Sequence, residues 1–515
     1  MRRYSGAVLA ISAICGPLLF AQGSAAPQQT LLSIQALIES GNSAEALAQL
    51  SAALTSWPRD GGLLNLRGVI HAQQNDIPAA RADFEEAVKL DSDLIPAWRN
   101  LAQACQSDSL CASNAWRHVL RAAPADPEAR FSLAAIDRQQ GKYSESLREL
   151  DNLPPNERAR SQALALRCAD LVALDRMSEA QQAAKQLTKA AEFSEDDVKT
   201  VLPALTTAAR APVAVILIEA LDARGAASPD SLRRLVLAYE QMKRLADARK
   251  TLERVAASEP DNPQHLFELA RIAYRMHDLE GALGYLGHAR DLAPSDPKVH
   301  FLFGMVLQEM ELPIEARKSV EKAVALDPRN PDYNYALGSI ILATREASAA
   351  VTPFRNYVAA RPRDPRGHFA LGVAYFATGD YANARTEMET AAKDPNTEAG
   401  ASYFLGRIAR LDEKYDEAAA LFNRSIRLQP SFPEAWTELA RVRLRQGRVD
   451  DARADINHAL SLDPKNFQAN SALMALYQRT HDPRAEQQSA RLQTLDAERS
   501  KRQELMYRSI EVKPY

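Results

Sequence analysis

A spacing of 34 residues recurs along the chain and constrains its fold more than any other feature of the sequence. Prolines stand at positions 260, 294, 328 and 362. Alanines at the same step form an uninterrupted series: Ala248, Ala282, Ala316, Ala350, Ala384, Ala418 and Ala452. A fixed period of this length indicates a repeat architecture, in which each unit buries its apolar face only by stacking on its neighbours.

The apolar residues of one period predict two helices. In residues 297–330, Gly304 and Leu307 share a face of the first helix, and Ala316 and Val320 share a face of the second. The composition agrees, since Ala, Leu, Arg and Glu outnumber the β-branched residues and favour helix over strand. We therefore expect an all-α fold.

The repeats resemble those of the tetratricopeptide repeat (TPR) family. The family pattern is matched most fully in residues 433–466, through Trp436, Leu439, Ala440, Gly447, Ala452, Ile456, Ala459 and Pro464. The resemblance implies a right-handed superhelical solenoid of about 13 or 14 helix–turn–helix repeats. It also implies a non-enzymatic scaffold for protein–protein interaction, which binds its partner on the concave face lined by the first helices.

The repeats divide the chain into segments. We predict a looser N-terminal TPR segment over 27–190, a C-terminal TPR array over 229–466, and a terminal repeat with a capping helix over 467–515. Residues 191–228 break the pattern: Ser194 and Asp197 can cap a helix, and Pro203 should kink it. This segment is either a hinge or a slightly irregular but rigid repeat.

The N-terminus predicts export. Two arginines precede an apolar stretch over residues 7–20, and small residues follow it, as in a signal peptide (1–25) cleaved near Ala25. The alternative is a retained membrane anchor, but 14 apolar residues are fewer than the roughly 20 needed to span a bilayer. We expect an exported protein, periplasmic or extracellular, with no integral membrane segment after cleavage.

The cysteines are compatible with an oxidising compartment. Cys105 and Cys111 flank a turn that is two residues shorter than in the other repeats. We predict a disulfide between them; the alternative is two unlinked small residues. Cys168 occupies a helix-contact position opposite Ala180, which predicts a buried spacer.

No motif for catalysis, cofactor binding or metal binding occurs in the sequence. His300 and His368 stand at the fourth position of their repeats, where they are interpreted as core or groove-wall residues. A net charge of −3 without long blocks of like charge does not indicate a nucleic-acid partner. The sequence thus predicts a protein without catalytic residues, cofactor or metal.

Aromatic and arginine side chains recur on the first helices of the C-terminal array. The fifth positions are Phe267, Phe301, Tyr335, Phe369 and Tyr403; the twelfth include Tyr274 and Phe376; the ninth include Arg271, Arg407 and Arg441, with Arg410 and Arg445 nearby. One interpretation is that the rings simply pack on the neighbouring helix. The other is a ligand groove in which an aromatic ladder with an arginine-rich end holds an extended chain.

Three functional hypotheses follow. The first is an interaction scaffold of a bacterial cell envelope that binds a partner peptide or protein in the concave groove. The second is a module that binds a glycan or exopolysaccharide by stacking sugar rings on the aromatic ladder. The third, the substrate arm of an enzyme, requires a separate catalytic chain.

Overall fold

The computed structural model describes residues 26–205, 207–344 and 346–511, with side chains as far as residue 498. The predicted signal peptide, 1–25, lies outside the described residues. These residues contain 29 α-helices and no strand, as the sequence predicts. None of the described helices combines the length with the apolar character needed to cross a bilayer. The chain divides into two compact units at the Val255–Ala256 boundary.

The first unit is a series of paired helices with an irregular stretch near residue 200. Its helices are α1 (Gln28–Glu39), α2 (Ser43–Ser56), α3 (Gly61–Gln73), α4 (Ile77–Leu90), α5 (Ile95–Ala104), α6 (Ser109–Ala122), α7 (Pro127–Gln139), α8 (Tyr143–Asp151), α9 (Pro155–Arg158), α10 (Ser161–Ala173), α11 (Met177–Leu187), α12 (Glu195–Val201), α13 (Ala211–Ala223), α14 (Pro229–Gln241) and α15 (Leu245–Ser258), whose last turn crosses the boundary.

The second unit continues the pairing with a more uniform length. Its helices are α16 (Pro263–Arg275), α17 (Leu279–Leu292), α18 (Pro297–Glu309), α19 (Pro313–Leu326), α20 (Pro331–Ala343), α21 (Ala347–Ala360), α22 (Pro365–Thr378), α23 (Tyr381–Ala391), α24 (Glu398–Leu411), α25 (Tyr415–Leu428), α26 (Pro433–Arg445), α27 (Val449–Leu462), α28 (Phe467–Arg479) and α29 (Ala485–Glu511).

Small residues bring the two helices of a repeat together. All seven alanines of the 34-residue series are fully buried. Opposite them, a Cβ atom added to Gly304 would lie 2.5 Å from the Val320 side chain, and one added to Gly406 would lie 2.8 Å from the Phe422 ring. Because real Cβ atoms do not approach that closely, glycine at this position sets the spacing of the helix pair.

The turn between successive repeats is closed by a side chain at the fourth position. His300 Nε2 donates to the Pro294 carbonyl over 2.8 Å, and His368 Nε2 donates to the Pro362 carbonyl over 3.0 Å. Trp436 Nε1 makes the equivalent bond to the Pro430 carbonyl over 2.9 Å. The two histidines interpreted as core or groove-wall residues therefore have a specific role: each satisfies a carbonyl at the end of the preceding helix.

The turn inside a repeat depends on one residue in the left-handed region. Gly379 and Gly447 have φ of 83° and 80° there. Non-glycine residues occupy the same position in other repeats, namely Lys243, His277, Glu311, Glu413 and His481. Left-handed backbone costs roughly 1–2 kcal/mol for a residue with a side chain. The sequence pattern did not reveal these turns, because glycine is their usual marker.

The shortened turn between α5 and α6 is different. It contains no residue with positive φ, and the structure joins Cys105 and Cys111 by a disulfide across it, with Cα atoms 5.8 Å apart. Cys168 is fully buried, its sulfur lies 3.5 Å from the Ala180 carbonyl oxygen, and burial raises the pKa of its thiol to about 12. Such a thiol is poorly reactive, in agreement with the spacer interpretation.

Residues 191–205 and 207–228 form an irregular part of the first unit. Asp197 accepts a hydrogen bond from the Ser194 amide over 2.9 Å, as the capping prediction requires. The chain then leaves the α-helix at Pro203 in a short 3-10 turn, Leu202–Ala204. Arg224 donates to the carbonyl oxygens of Thr188 and Phe193, which ties the end of the segment to its beginning.

We predict that labelling of free thiols, compared before and after reduction, will reveal the disulfide. Alkylation of unfolded protein should label two more cysteines after reduction than before it. Replacing both Cys105 and Cys111 by Ala should lower the free energy of unfolding of the first unit by about 2 kcal/mol, since the cross-link restricts the unfolded chain. An equal count of labelled thiols before and after reduction would exclude the bond.

We also predict that limited proteolysis cuts the folded chain first within residues 202–210. Its described residues, 202–205 and 207–210, form only short 3-10 turns, whereas Arg224 holds residues 188–193 on one side. The first fragments should therefore end and begin within 202–210, at about 27–202 and 210–515. Initial cleavage at the turn 259–262, beside the boundary between the two units, would show that residues 191–228 are not the weakest segment.

Candidate functional site

The first helices of successive repeats in the second unit form one continuous surface, here called the inner face. Beyond neighbours in the chain, the closest packing between repeats joins first helix to first helix, as between α22 and α24 or α26 and α28. Second helices of successive repeats lie further apart. Because the first helices pack more closely than the second helices, the array curves around the inner face. All twelve predicted groove residues lie on helices of this face.

The fifth-position rings pack against neighbouring helices, and all are half-buried except Tyr403, which is buried. The Phe301 ring centroid is 4.7 Å from that of Tyr333 in the next repeat. The Tyr335 ring packs 4.9 Å from Tyr357 in its own repeat. The Phe267 ring contacts the apolar core around α16 and α17. These positions favour the packing interpretation over a free ladder of rings.

Phe369 shows how closely such a ring fits. Its ring lies 6.0 Å from the Phe404 ring, and a Cβ atom added to Gly400 would come within 2.8 Å of it. Gly400 is the second residue of its repeat. Because it has no side chain, α24 leaves room for the Phe369 ring of the preceding first helix, α22. The ligand-binding interpretation of the ladder stays a prediction, limited to the ring edges that remain exposed.

An aromatic cluster surrounds Arg407 on α24. The guanidinium carbon of Arg407 lies 4.3 Å from the Phe376 ring centroid, 5.6 Å from that of Tyr403 and 5.7 Å from that of Phe404. The faces of aromatic rings attract cations. Burial raises the pKa of the Tyr403 hydroxyl, and the positive charge of Arg407 opposes that shift. Three predicted residues thus meet here, together with Phe404, which the sequence analysis missed.

The arginines further along the inner face are paired. Arg410 Nε lies 2.9 Å from one carboxylate oxygen of Glu438, and Arg441 donates to the other over 2.6 Å. The Glu438 side chain is only 7% exposed, so it takes up both charges in a partly dry site. Glu438 was missed too, although its spacing of three residues from Arg441 on one helix indicates such a pair.

The remaining predicted residues are not part of this cluster. Arg445 is exposed at the end of α26, and Arg271 is half-buried on α16. Burial raises the pKa of the Tyr274 hydroxyl, and a hydrogen bond with Glu309 adds to this rise. Between α22 and α26, then, the inner face combines half-exposed rings, one arginine held by rings, and a buried carboxylate shared by two arginines.

Among the described residues, no group of three His, Cys, Asp or Glu side chains is close enough to hold a metal ion. The side chains gathered on the inner face are suited to stacking, burial of apolar groups and binding of charge.

We predict that Phe369→Ala destabilises the second unit by about 2–3 kcal/mol, since it leaves a void against Gly400 and Phe404. Urea unfolding followed by circular dichroism measures this. Val373→Ala, a smaller deletion on the same helix, should cost about 1 kcal/mol and serves as the control. A transition unchanged by Phe369→Ala would show that the ring does not contribute to packing and would favour the free ladder.

Several solved structures match this chain at low identity and low TM-score. The "TPR protein with an unusual peptide-binding site" YrrB is 21% identical over 36% of this chain and 95% of its own, with a TM-score of 0.34. The Cut9 and Hcn1 hetero-tetramer of the APC/C is 15% identical over 88% and 90%, with a TM-score of 0.36. PilW, a type IV pilus biogenesis factor, is 21% identical over 38% and 92%, with a TM-score of 0.35.

A search of curated proteins gives no match. Sequence profiles of the tetratricopeptide repeat match residues 31–95, 241–302 and, in four overlapping segments, 301–467, which together are more than half of the chain. The matched segments include the 34-residue alanine series, the buried helix contacts and the inner face. The chain belongs to the tetratricopeptide repeat family.

Proposed function

We propose that the inner face of the second unit binds an extended segment of a partner protein. TPR arrays are scaffolds for protein–protein interaction, and this chain is built as one. The observation that carries the finer proposal is the Arg407 cluster. This cation is held among the half-exposed rings of Phe376 and Phe404 and the buried ring of Tyr403, whereas Arg410 and Arg441 are paired with Glu438. Aromatic and arginine side chains are those most enriched at the centres of interfaces.

The apolar part of the face supports an extended occupant. Half-exposed apolar side chains follow one another on the first helices α18, α20 and α22, at the ninth and twelfth positions: Met305, Leu342, Val373 and Phe376. Each helix contributes one or two such side chains, so the apolar surface is long and narrow. A strand-like or otherwise extended segment fits this shape, because it contacts several helices in succession.

We further propose that the protein acts after export, in a bacterial cell envelope. The arginines and apolar stretch of the first 20 residues support this, as does the disulfide between Cys105 and Cys111, since disulfides are rare in reducing compartments. The glycan-binding alternative has no observation in its favour beyond the rings themselves, most of which are engaged in packing.

Photo-cross-linking tests the binding face. A photoreactive amino acid replaces Ser339 on α20 or Arg445 on α26, which are exposed on first helices; the controls replace Ala420 and Arg427, exposed on the second helix α25. In envelope extract, we expect one protein to be cross-linked from both inner-face positions and from neither control position.

The pattern of cross-links decides between the possibilities. Cross-links to the same protein from the α25 positions only would place the binding surface elsewhere and contradict the proposal. Loss of the inner-face cross-links on adding soluble polysaccharide, but not on adding salt, would instead favour a neutral glycan as the occupant.

A further inference from the structure

The arginine-rich end of the inner face brings three arginines close to one buried carboxylate. Arg407, Arg410 and Arg441 lie on α24 and α26, and Glu438 contacts the latter two. Arg441 donates a hydrogen bond to one oxygen of Glu438, and Arg410 Nε lies 2.9 Å from the other as an ion-pair contact. Arg410 and Arg441 therefore share the single negative charge of Glu438, and Arg407 takes no part in this pairing.

Arg407 itself has no anionic partner. Among the residues that the structure describes, no carboxylate lies within ion-pair distance of Arg407, and its buried Nε makes no hydrogen bond. Its neighbours are instead the rings of Phe376, Tyr403 and Phe404. Rings attract a guanidinium by their faces but accept none of its in-plane N–H groups, so the terminal Nη donors, unlike the buried Nε, remain for an anion.

We propose that Arg407 binds the side-chain carboxylate of an Asp or Glu residue in the partner segment, whose adjoining apolar residues lie along α22 and α20. The inference rests on the proposed function and adds to it the chemistry and direction of the partner. A carboxylate matches the paired N–H donors of a guanidinium in two parallel hydrogen bonds. The surrounding rings exclude water, which strengthens the ion pair.

The direction follows from the order of side chains on the inner face. Apolar side chains dominate on α18, α20 and α22, and arginines on α24 and α26. A segment with apolar residues on one side of an acidic residue therefore fits in one direction only. Further acidic residues on its other side would lie near Arg441 and the exposed Arg445.

Peptide display tests the inference on the full chain. Random 12-residue peptides, fused through their C-termini so that no α-carboxylate is free, are selected against the wild-type protein and against Arg407→Gln. We expect the wild-type selection to be enriched in an Asp or Glu flanked on one side by apolar residues. The Arg407→Gln selection should lose the acidic preference while keeping the apolar one. Arg427→Gln, on the second helix α25, is the charge-matched control and should behave as wild type.

A matched pair of peptides then measures the contact. For one selected peptide, changing its acidic residue to the amide should weaken binding to the wild-type protein at least tenfold, because a charge-assisted pair is lost. The same change should make little difference with Arg407→Gln. The comparison on the wild-type protein needs no protein variant, so it stands even if Arg407→Gln is less stable.

The outcomes separate the two proposals. Failure to select any peptide, with wild type and both variants alike, would overturn the inner face as a peptide-binding site and this inference with it. Selection of peptides without acidic enrichment, or an acid-to-amide change that leaves wild-type binding unaltered, would overturn the role of Arg407 alone and leave the binding face in place.

Discussion

The junction between successive repeats is the constraint on which the rest of the second unit depends. At the junctions before α18, α20, α22, α26 and α28, a side-chain N–H at the fourth position reaches back six residues to a carbonyl, as Trp436 does to Pro430. Before α24, the Thr397 hydroxyl donates to the Ala391 carbonyl instead. An Asp or Asn just before most of these helices caps the first amides, as Asp364 does for Arg366. Each such bond contributes only about 1 kcal/mol, but a bond of this kind recurs from repeat to repeat. The same geometry therefore places every first helix in the same orientation, and so builds the inner face.

The sequence predicts the fold well because the period, the buried alanines and the junction prolines all repeat in one register. It predicts the site less completely. The fifth-position rings repeat at 34 residues, yet how closely each ring packs depends on which side chain the next first helix places opposite it. Gly400 leaves room for the Phe369 ring, and the sequence of one repeat alone does not reveal this contact. Phe404 and Glu438 occur at the same repeat position but serve different contacts, so periodicity could not single them out.

The arginines of the inner face differ in whether their charge is paired, because each has different neighbours. Glu438 is 7% exposed, and a carboxylate in so dry a site requires positive partners, which Arg410 and Arg441 provide. Arg407, only one helical turn from Arg410, is held by rings in place of a carboxylate. Arginines that look equivalent in the sequence thus differ in what they can offer to another molecule: two mainly stabilise the array, and one retains its donors.

The two kinds of turn also determine where the chain can be divided into modules. The junction between repeats is crossed by a side-chain bond, whereas the turn inside a repeat at Gly379 or Glu413 is closed by backbone hydrogen bonds alone around one left-handed residue. The unit that can be removed or duplicated without cutting through a junction turn therefore runs from one left-handed residue to the next, for instance residues 380–413, although contacts between helices, such as that of His368 with Glu387, cross its ends. It contains the second helix of one repeat and the first helix of the following one, so an array shortened or lengthened by this unit would keep every junction intact while changing the order of side chains on the inner face.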